Sequence, residues 1–304
     1  MHPTFFPRLP AFAAGAFVAA ILGSGLPLPA RAATFPPLNE PATQESHPGK
    51  FVWAELFTGD SAAAAKFYTG VVGWTASTIK QHGITYTVFQ NGVHPVAGLR
   101  QRESGAAPRA SRWIGYIAVP DLAAALQSAK QAGATVRAPA REFPRLGRQA
   151  IITDPEGAPV GLIQSSSGDS ADVEPAVGDW NWFHLLVQDP KSSADFYRKV
   201  FAYEVVPDDR PGKSQELLLA SGPFNRAGVS TFPESWDARA GWLAVIRVAD
   251  LDAALARVPQ LGGDVVVPAH EAALGSRSAI VTDPTGGAVG LVEYAANANP
   301  ANRP

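Results

Sequence analysis

Three side chains have the right chemistry for proton transfer and share a strand face with aromatic or apolar neighbours: Glu55, Tyr116 and His184. Over Phe51–Phe57, period-two alternation puts Val52, Ala54 and Leu56 on one face and Trp53, Glu55 and Phe57 on the other. A carboxylate walled by aromatic rings loses solvation and is a candidate general base. The same alternation groups Ile114, Tyr116 and Ala118, then Trp182, His184 and Leu186, then Leu243, Val245 and Arg247. An imidazole titrates near neutrality, and an arginine near His184 could hold an anionic ligand group bidentately. Trp53, Phe57, Trp182 and Arg247 are the candidate substrate-binding residues. A blander chemistry competes at each position. A buried Glu beside a Tyr is more often a satisfied hydrogen bond, and a lone His on an apolar strand more often packs than reacts.

These residues sit in a chain that repeats itself. Adding 129 to a residue number between 51 and 164 lands on its partner between 180 and 293: Trp53 on Trp182, Asp60 on Asp189, Trp113 on Trp242, Asp154 on Asp283. A constant offset over that length means two tandem copies of one fold. Each copy holds a weaker internal repeat in which a strand leads through an Asp (60, 121, 189, 250) into an Ala-rich or amphipathic helical run. An aspartate there accepts bonds from the free N–H groups of the first helical turn, so all four read as helix caps. Strands follow each helix, and Asp154-Pro155-Glu156-Gly157 and Asp283-Pro284-Thr285-Gly286 have tight-turn chemistry. The expected module is strand–helix–strand–strand–strand, four times over, which makes an α+β protein with mixed sheets.

Outside the repeats, residues 1–32 have the layout of a secretory leader. A lightly basic start precedes an apolar stretch, and Ala30-Arg31-Ala32 supplies small residues for cleavage. Prolines 10, 27 and 29 shorten that stretch below the roughly 20 residues of a spanning helix. Residues 33–50 and 165–179 read as linkers, and 295–304 as a disordered tail. The expected location is therefore periplasmic or secreted, with no membrane association after cleavage. The chain has no cysteine, which removes disulfides, thiolate metal sites and cysteine nucleophiles. A formal net charge of −2 and no basic stripe argue against nucleic acid.

The stretches WAELFTGD with FYTGVVGW, WNWFHLLVQDP with FYRKVFAY, WIGYIAVPDLAAAL, WLAVIRVADLDAAL, TDPEGAPVGL and TDPTGGAVGL come in an order that resembles the vicinal oxygen chelate superfamily. That superfamily includes glyoxalase I, bleomycin-resistance proteins and extradiol dioxygenases. The resemblance covers residues 51–164 and 180–293 and implies tandem glyoxalase-like domains. Each would be two βαβββ modules forming a cupped mixed sheet with helices on the outer face. It also implies where a divalent metal would be held: seven residues before each capping Asp, and seven after each turn Asp. Those positions hold Trp53, Ile114, Trp182, Leu243, Gly161 and Gly290, none of which donates to a metal through its side chain. No cofactor is expected on this reading; a divalent metal at a displaced site is the alternative. Three functions follow in order of preference: a metal-independent binder of a small aromatic or lipophilic molecule, a glyoxalase-type lyase, isomerase or dioxygenase, and a self-associating interaction module.

Overall fold

The structure is a computed structural model that describes residues 34–81, 84–102, 111–210, 216–232, 239–272 and 275–294. The leader expected over residues 1–32 and the tail expected over 295–304 lie outside these. The first half is β1 (Phe51–Thr58), α1 (Ser61–Val72), β2 (Thr75–Gln81), β3 (Ile84–Asn91) and β4 (His94–Gln101), then β5 (Arg112–Ala118), α2 (Leu122–Gln131), β6 (Thr135–Phe143), β7 (Gly147–Thr153) and β8 (Pro159–Ser165). The second half repeats it as β9 (Trp180–Val187), α3 (Pro190–Phe201), β10 (Glu204–Pro207), β11 (Leu217–Ser221) and β12 (Phe224–Thr231), then β13 (Gly241–Arg247), α4 (Leu251–Arg257), β14 (Asp264–Glu271), β15 (Ser276–Thr282) and β16 (Ala288–Tyr294). The hydrogen-bonded strand orders match: β2-β3-β4-β1-β5-β8-β7-β6 and β10-β11-β12-β9-β13-β16-β15-β14. β1 runs parallel to β4 and antiparallel to β5, so two modules meet through their first strands at the centre of each mixed sheet.

Local chemistry sets the helix boundaries. Asp60, Asp121 and Asp189 each accept two backbone N–H groups of the following turn, and Asp250 accepts one. Each cap stabilises its helix by about 1 kcal/mol. Gly73 ends α1 at φ 88°, a left-handed conformation that glycine adopts without steric cost. Its counterpart Ala202 takes φ 56° with a methyl group present, a strained solution to the same stop.

The helix-bearing faces of the two sheets share one core. Ala54, Leu56, Phe67, Tyr68 and Trp113 belong to the same buried cluster as Phe183, Leu185, Phe196, Tyr197 and Trp242. α1 packs against α4 and α2 against α3, and the Phe51 ring stacks on Phe183 at 4.1 Å. Two reciprocal polar contacts cross this core. The Tyr68 hydroxyl donates to Asp283 (3.1 Å) and accepts from the Trp113 indole (2.7 Å). Tyr197 does the same with Asp154 (3.2 Å) and Trp242 (3.0 Å). The cups therefore open away from one another, on the opposite sheet faces.

The two segments read as linkers bind each other closely. The Asn39 side-chain amide donates to the carbonyls of Gly168 and Asp169 (both 2.9 Å), and Asp172 gathers Lys50 (3.0 Å), His47 (3.2 Å) and Arg226 (2.5 Å). Burial alone would push the Asp172 carboxyl up, but hydrogen bonds from Arg226 and Lys50 outweigh it and hold the group at about 2. The folded value lies below the usual 3.8, so this stabilisation is complete above about pH 4 and is lost as pH falls toward 2. Relative to the native chain, Asp172→Asn is expected to lower the melting temperature at neutral pH and to flatten its decline between pH 4 and 2. An unchanged acid limb would mean that Arg226 and Lys50 do not hold this carboxylate.

Candidate functional site

The first cup brings Glu55 and Tyr116 together as expected and adds two groups that the sequence reading missed. Glu55 is fully buried, and its carboxylate accepts the Tyr116 hydroxyl at 2.8 Å and the Tyr86 hydroxyl at 2.7 Å. Arg100 Nε lies 3.0 Å from Glu55 Oε2. Burial, followed by the Glu55 charge, pushes both phenols well above their ordinary range, so each stays a neutral donor. Burial pulls the Arg100 guanidinium down, but the facing Glu55 carboxylate together with Tyr116 and Tyr86 outweighs it and the net shift is upward. Arg100 also lies over the rings of Phe143 (4.7 Å) and Tyr86 (5.2 Å).

Register explains how so much fits. Glu55 pairs with Gly98 across β1 and β4, and Tyr116 with Gly161 across β5 and β8. A Cβ on Gly98 would coincide with the Tyr86 hydroxyl, and one on Gly161 with the Tyr116 ring. Both glycines make room for a phenol. Trp53 stands buried in the same wall, and Phe57 packs against it partly covered. A general base needs an oxygen that a substrate proton can approach to about 3 Å. Glu55, ion-paired, doubly hydrogen-bonded and wholly covered, fits the structural role better.

The second cup is different. Phe183, Leu185 and Val187 are buried in the shared core, while Trp182, His184 and Leu186 on the other face of β9 are half-buried. On β13 Trp242, Ala244 and Ile246 are buried and Leu243, Val245 and Arg247 half-buried. His184 Nε2 lies 2.8 Å from the Ser230 hydroxyl, and its ring covers Gly228 beside the Trp182 indole nitrogen. The expected approach of Arg247 to His184 is corrected by the register. His184 lies opposite Leu243, and Arg247 comes four residues later, roughly 13 Å along the strand at the usual rise. Arg247 instead reaches Glu174 (2.7 Å) and the Pro175 carbonyl (2.6 Å), with its guanidinium over Tyr294. It belongs to the rim. Glu55 and His184 sit on sheet faces that point away from each other and cannot serve one centre.

Among the described residues, the donors at the positions where the fold family implies a metal do not match one. In the first cup the space over Gly161 holds the Tyr116 ring, the space over Gly98 holds Tyr86, and Arg100 contributes a positive charge. In the second, Val245 covers Gly290 and His184 supplies a single nitrogen. Among the described residues no three His, Cys, Asp or Glu side chains gather as a divalent cation requires. An open groove where α2 begins beside the end of α3, lined by Ala124, Ser128, Val200 and Phe201, lies outside both cups. Its only titratable side chain is the helix-capping Asp121.

Comparison with known proteins places these cups in context. Residues 50–162 match the family described as the Glyoxalase/Bleomycin resistance protein/Dioxygenase superfamily, and residues 182–292 match the Glyoxalase-like domain. The anthracycline biosynthesis protein DauV of Streptomyces sp. (strain C5) is 27% identical over 260 residues, spanning 81% of this chain and 94% of its own. The putative glyoxylase CFP32 of Mycobacterium tuberculosis is 28% identical over 249 residues, spanning 81% and 95%. Among solved structures, the Mn(II)-bound glyoxalase from Novosphingobium aromaticivorans superposes with a TM-score of 0.56 at 15% identity, covering 82% of this chain and 83% of that one. The 2,3-dioxygenase LapB from Pseudomonas sp. KL28 gives 0.55 at 14%, covering 86% and 97%. At such identities the structural likeness speaks for the fold alone.

Proposed function

Because the chain belongs to the glyoxalase, bleomycin resistance and dioxygenase superfamily, we propose that it works through a cup, and that its second cup binds a small aromatic or lipophilic molecule without a metal. One observation carries the reading. The inner row Trp182, His184, Leu186, Leu243 and Val245 is partly exposed, whereas of its first-half counterparts Trp53, Glu55, Ile114 and Tyr116 are buried and Phe57 alone is partly exposed. Binding sites are mostly apolar concavities with a few polar groups that fix orientation. In this cup Trp182 supplies a flat wall and His184 held by Ser230 a polar contact, while Arg247, paired with Glu174, closes the rim. The names of the relatives, glyoxylase and anthracycline biosynthesis, both concern small molecules.

In this proposal the protein acts outside the cytoplasm after loss of the leader over residues 1–32, with no nucleic-acid or membrane partner and with self-association open to it. No helix among the described residues is long and apolar enough to cross a membrane. Calorimetric titration with indole tests the site. Trp182→Ala is expected to weaken binding about tenfold by removing the aromatic wall, and indole should shift the methyl resonances of Leu186, Leu243 and Val245. Equal affinity in the variant would end this assignment. Stoichiometric manganese, iron, nickel or zinc in the purified protein would favour the glyoxalase-type lyase, isomerase or dioxygenase instead.

A further inference from the structure

The first cup contains polar atoms that its own cluster does not use. Gln149 on β7 is 3% exposed, and among the described residues neither its amide oxygen nor its amide nitrogen has a hydrogen-bond partner. Its neighbours Ala150 and Ile152 belong to the shared core, so Gln149 points the other way, into the cup, beside Ile163 of β8. The Trp53 indole nitrogen in the same cup is buried near the Tyr86 hydroxyl and makes no well-formed hydrogen bond. The rest of the lining is apolar: Ile79, Val88, Ile114, Leu146 and Ile163. A buried amide left unpaired is destabilising, and a ligand able to pair with it would recover that loss.

The cup is closed by residues that precede the family match at residue 50. Phe35, 4% exposed, meets Tyr86 and Phe143 edge-to-face at 5.0 and 5.3 Å. Its segment is fastened by polar bonds that water could replace. Leu38 and Asn39 donate to the Ser167 hydroxyl at 2.9 and 3.1 Å, and Arg145, itself at φ 73°, pairs with Glu40 at 3.1 Å. We infer that the first cup is a second small-molecule site, for a neutral aromatic ligand carrying one hydrogen-bonding group, and that Phe35 is its internal competitor. The ring of Phe35 marks the space for a phenyl group, and Gln149 supplies the polar contact. Neutrality follows from the floor, where Glu55 and Arg100 cancel each other's charge. This site is independent of the one proposed in the second cup.

Phenol and toluene, titrated against the native chain, Phe35→Ala and Phe35→Ala/Gln149→Met and read by methyl resonances, separate the outcomes. Phenol is expected to bind Phe35→Ala at least tenfold more tightly than the native chain, with shifts at Ile79, Ile114, Leu146 and Ile163. It should bind five- to tenfold more tightly than toluene, and Gln149→Met should erase that preference. Equal binding of the two probes to Phe35→Ala would overturn the inference, as would shifts confined to Leu186, Leu243 and Val245, which would credit the second cup alone. If Phe35→Ala does not fold, the same titration uses Phe35→Leu, and amide exchange at Leu38 and Asn39 is followed in the native chain. Phenol should accelerate that exchange by displacing the segment; an unchanged rate, with an ordered water alone bound to Gln149, overturns it.

Discussion

Arg100→Met is expected to destabilise the protein by about 3–5 kcal/mol, because it leaves the Glu55 carboxylate buried without a cation. Glu55 would keep its two phenolic donors, but neutral donors compensate only part of the cost of burying a charge. Methionine preserves most of the volume, so the loss reports electrostatics rather than a cavity. Replacing the whole cluster with Glu55→Leu, Tyr86→Phe, Arg100→Met and Tyr116→Phe together should recover most of that loss, since a well-packed apolar set often equals a buried ion pair. Equilibrium denaturation of the two variants provides the comparison. A loss under about 1 kcal/mol in Arg100→Met would show that Glu55 does not depend on its cation.

The contrast between the two cups clarifies what the residues could reveal in advance. The period-two pattern of the first strand in each module was enough to assign Trp53, Glu55, Trp182 and His184 to the cup faces, because one face of each strand meets a helix-bearing core and the other does not. The capping aspartates and both Asp-Pro turns were equally readable, since their chemistry is local: Asp154 O accepts Gly157 N and Asp283 O accepts Gly286 N. The module calls for a strand directly after each helix, but the residues do not mark its bounds. β6 and β14 lie at sheet edges with mostly exposed side chains, and alternation has little to act on there.

Partners from other strands were the larger omission. Tyr86 and Arg100 reach Glu55 because parallel pairing sets Gly98 beside it, and no spacing rule within β3 or β4 encodes that register. One clue was available. Gly98 and Gly161 interrupt strands at cup-facing positions, and a glycine inside a strand often marks close approach of another group. The placement of Arg247 failed for the complementary reason. Sharing a face with His184 says nothing about distance along the strand, and four residues of rise separate Arg247 from the residue that pairs with His184. Nor did composition show that the two linkers clasp each other, since Asn39 and Asp172 act through partners more than 50 residues away.

Asp283→Ala should be the second large loss, about 3–5 kcal/mol, because one carboxylate serves both halves of the chain. Its Oδ1 accepts the amides of Thr285 (2.7 Å) and Gly287 (3.0 Å) and the Thr285 hydroxyl, while Oδ2 accepts the buried Tyr68 hydroxyl from the other half. Hydrogen bonds to a charged acceptor contribute about 1.5–3 kcal/mol each, and several buried donors would be stranded together. Its mirror Asp154 accepts fewer donors, Ala158 N and the Tyr197 hydroxyl, so Asp154→Ala should cost less, about 2–3 kcal/mol. A double-mutant cycle of Tyr68→Phe with Asp283→Ala isolates the contact between halves and should give a coupling of about 1–2 kcal/mol; additive losses would place the energy in the turn alone. Because the two contacts run in opposite senses across a shared core, neither half can unfold without exposing the helix-bearing face of the other. Calorimetry should therefore record one transition for the native chain. Two resolved transitions would mean that the cups are carried by halves that fold independently.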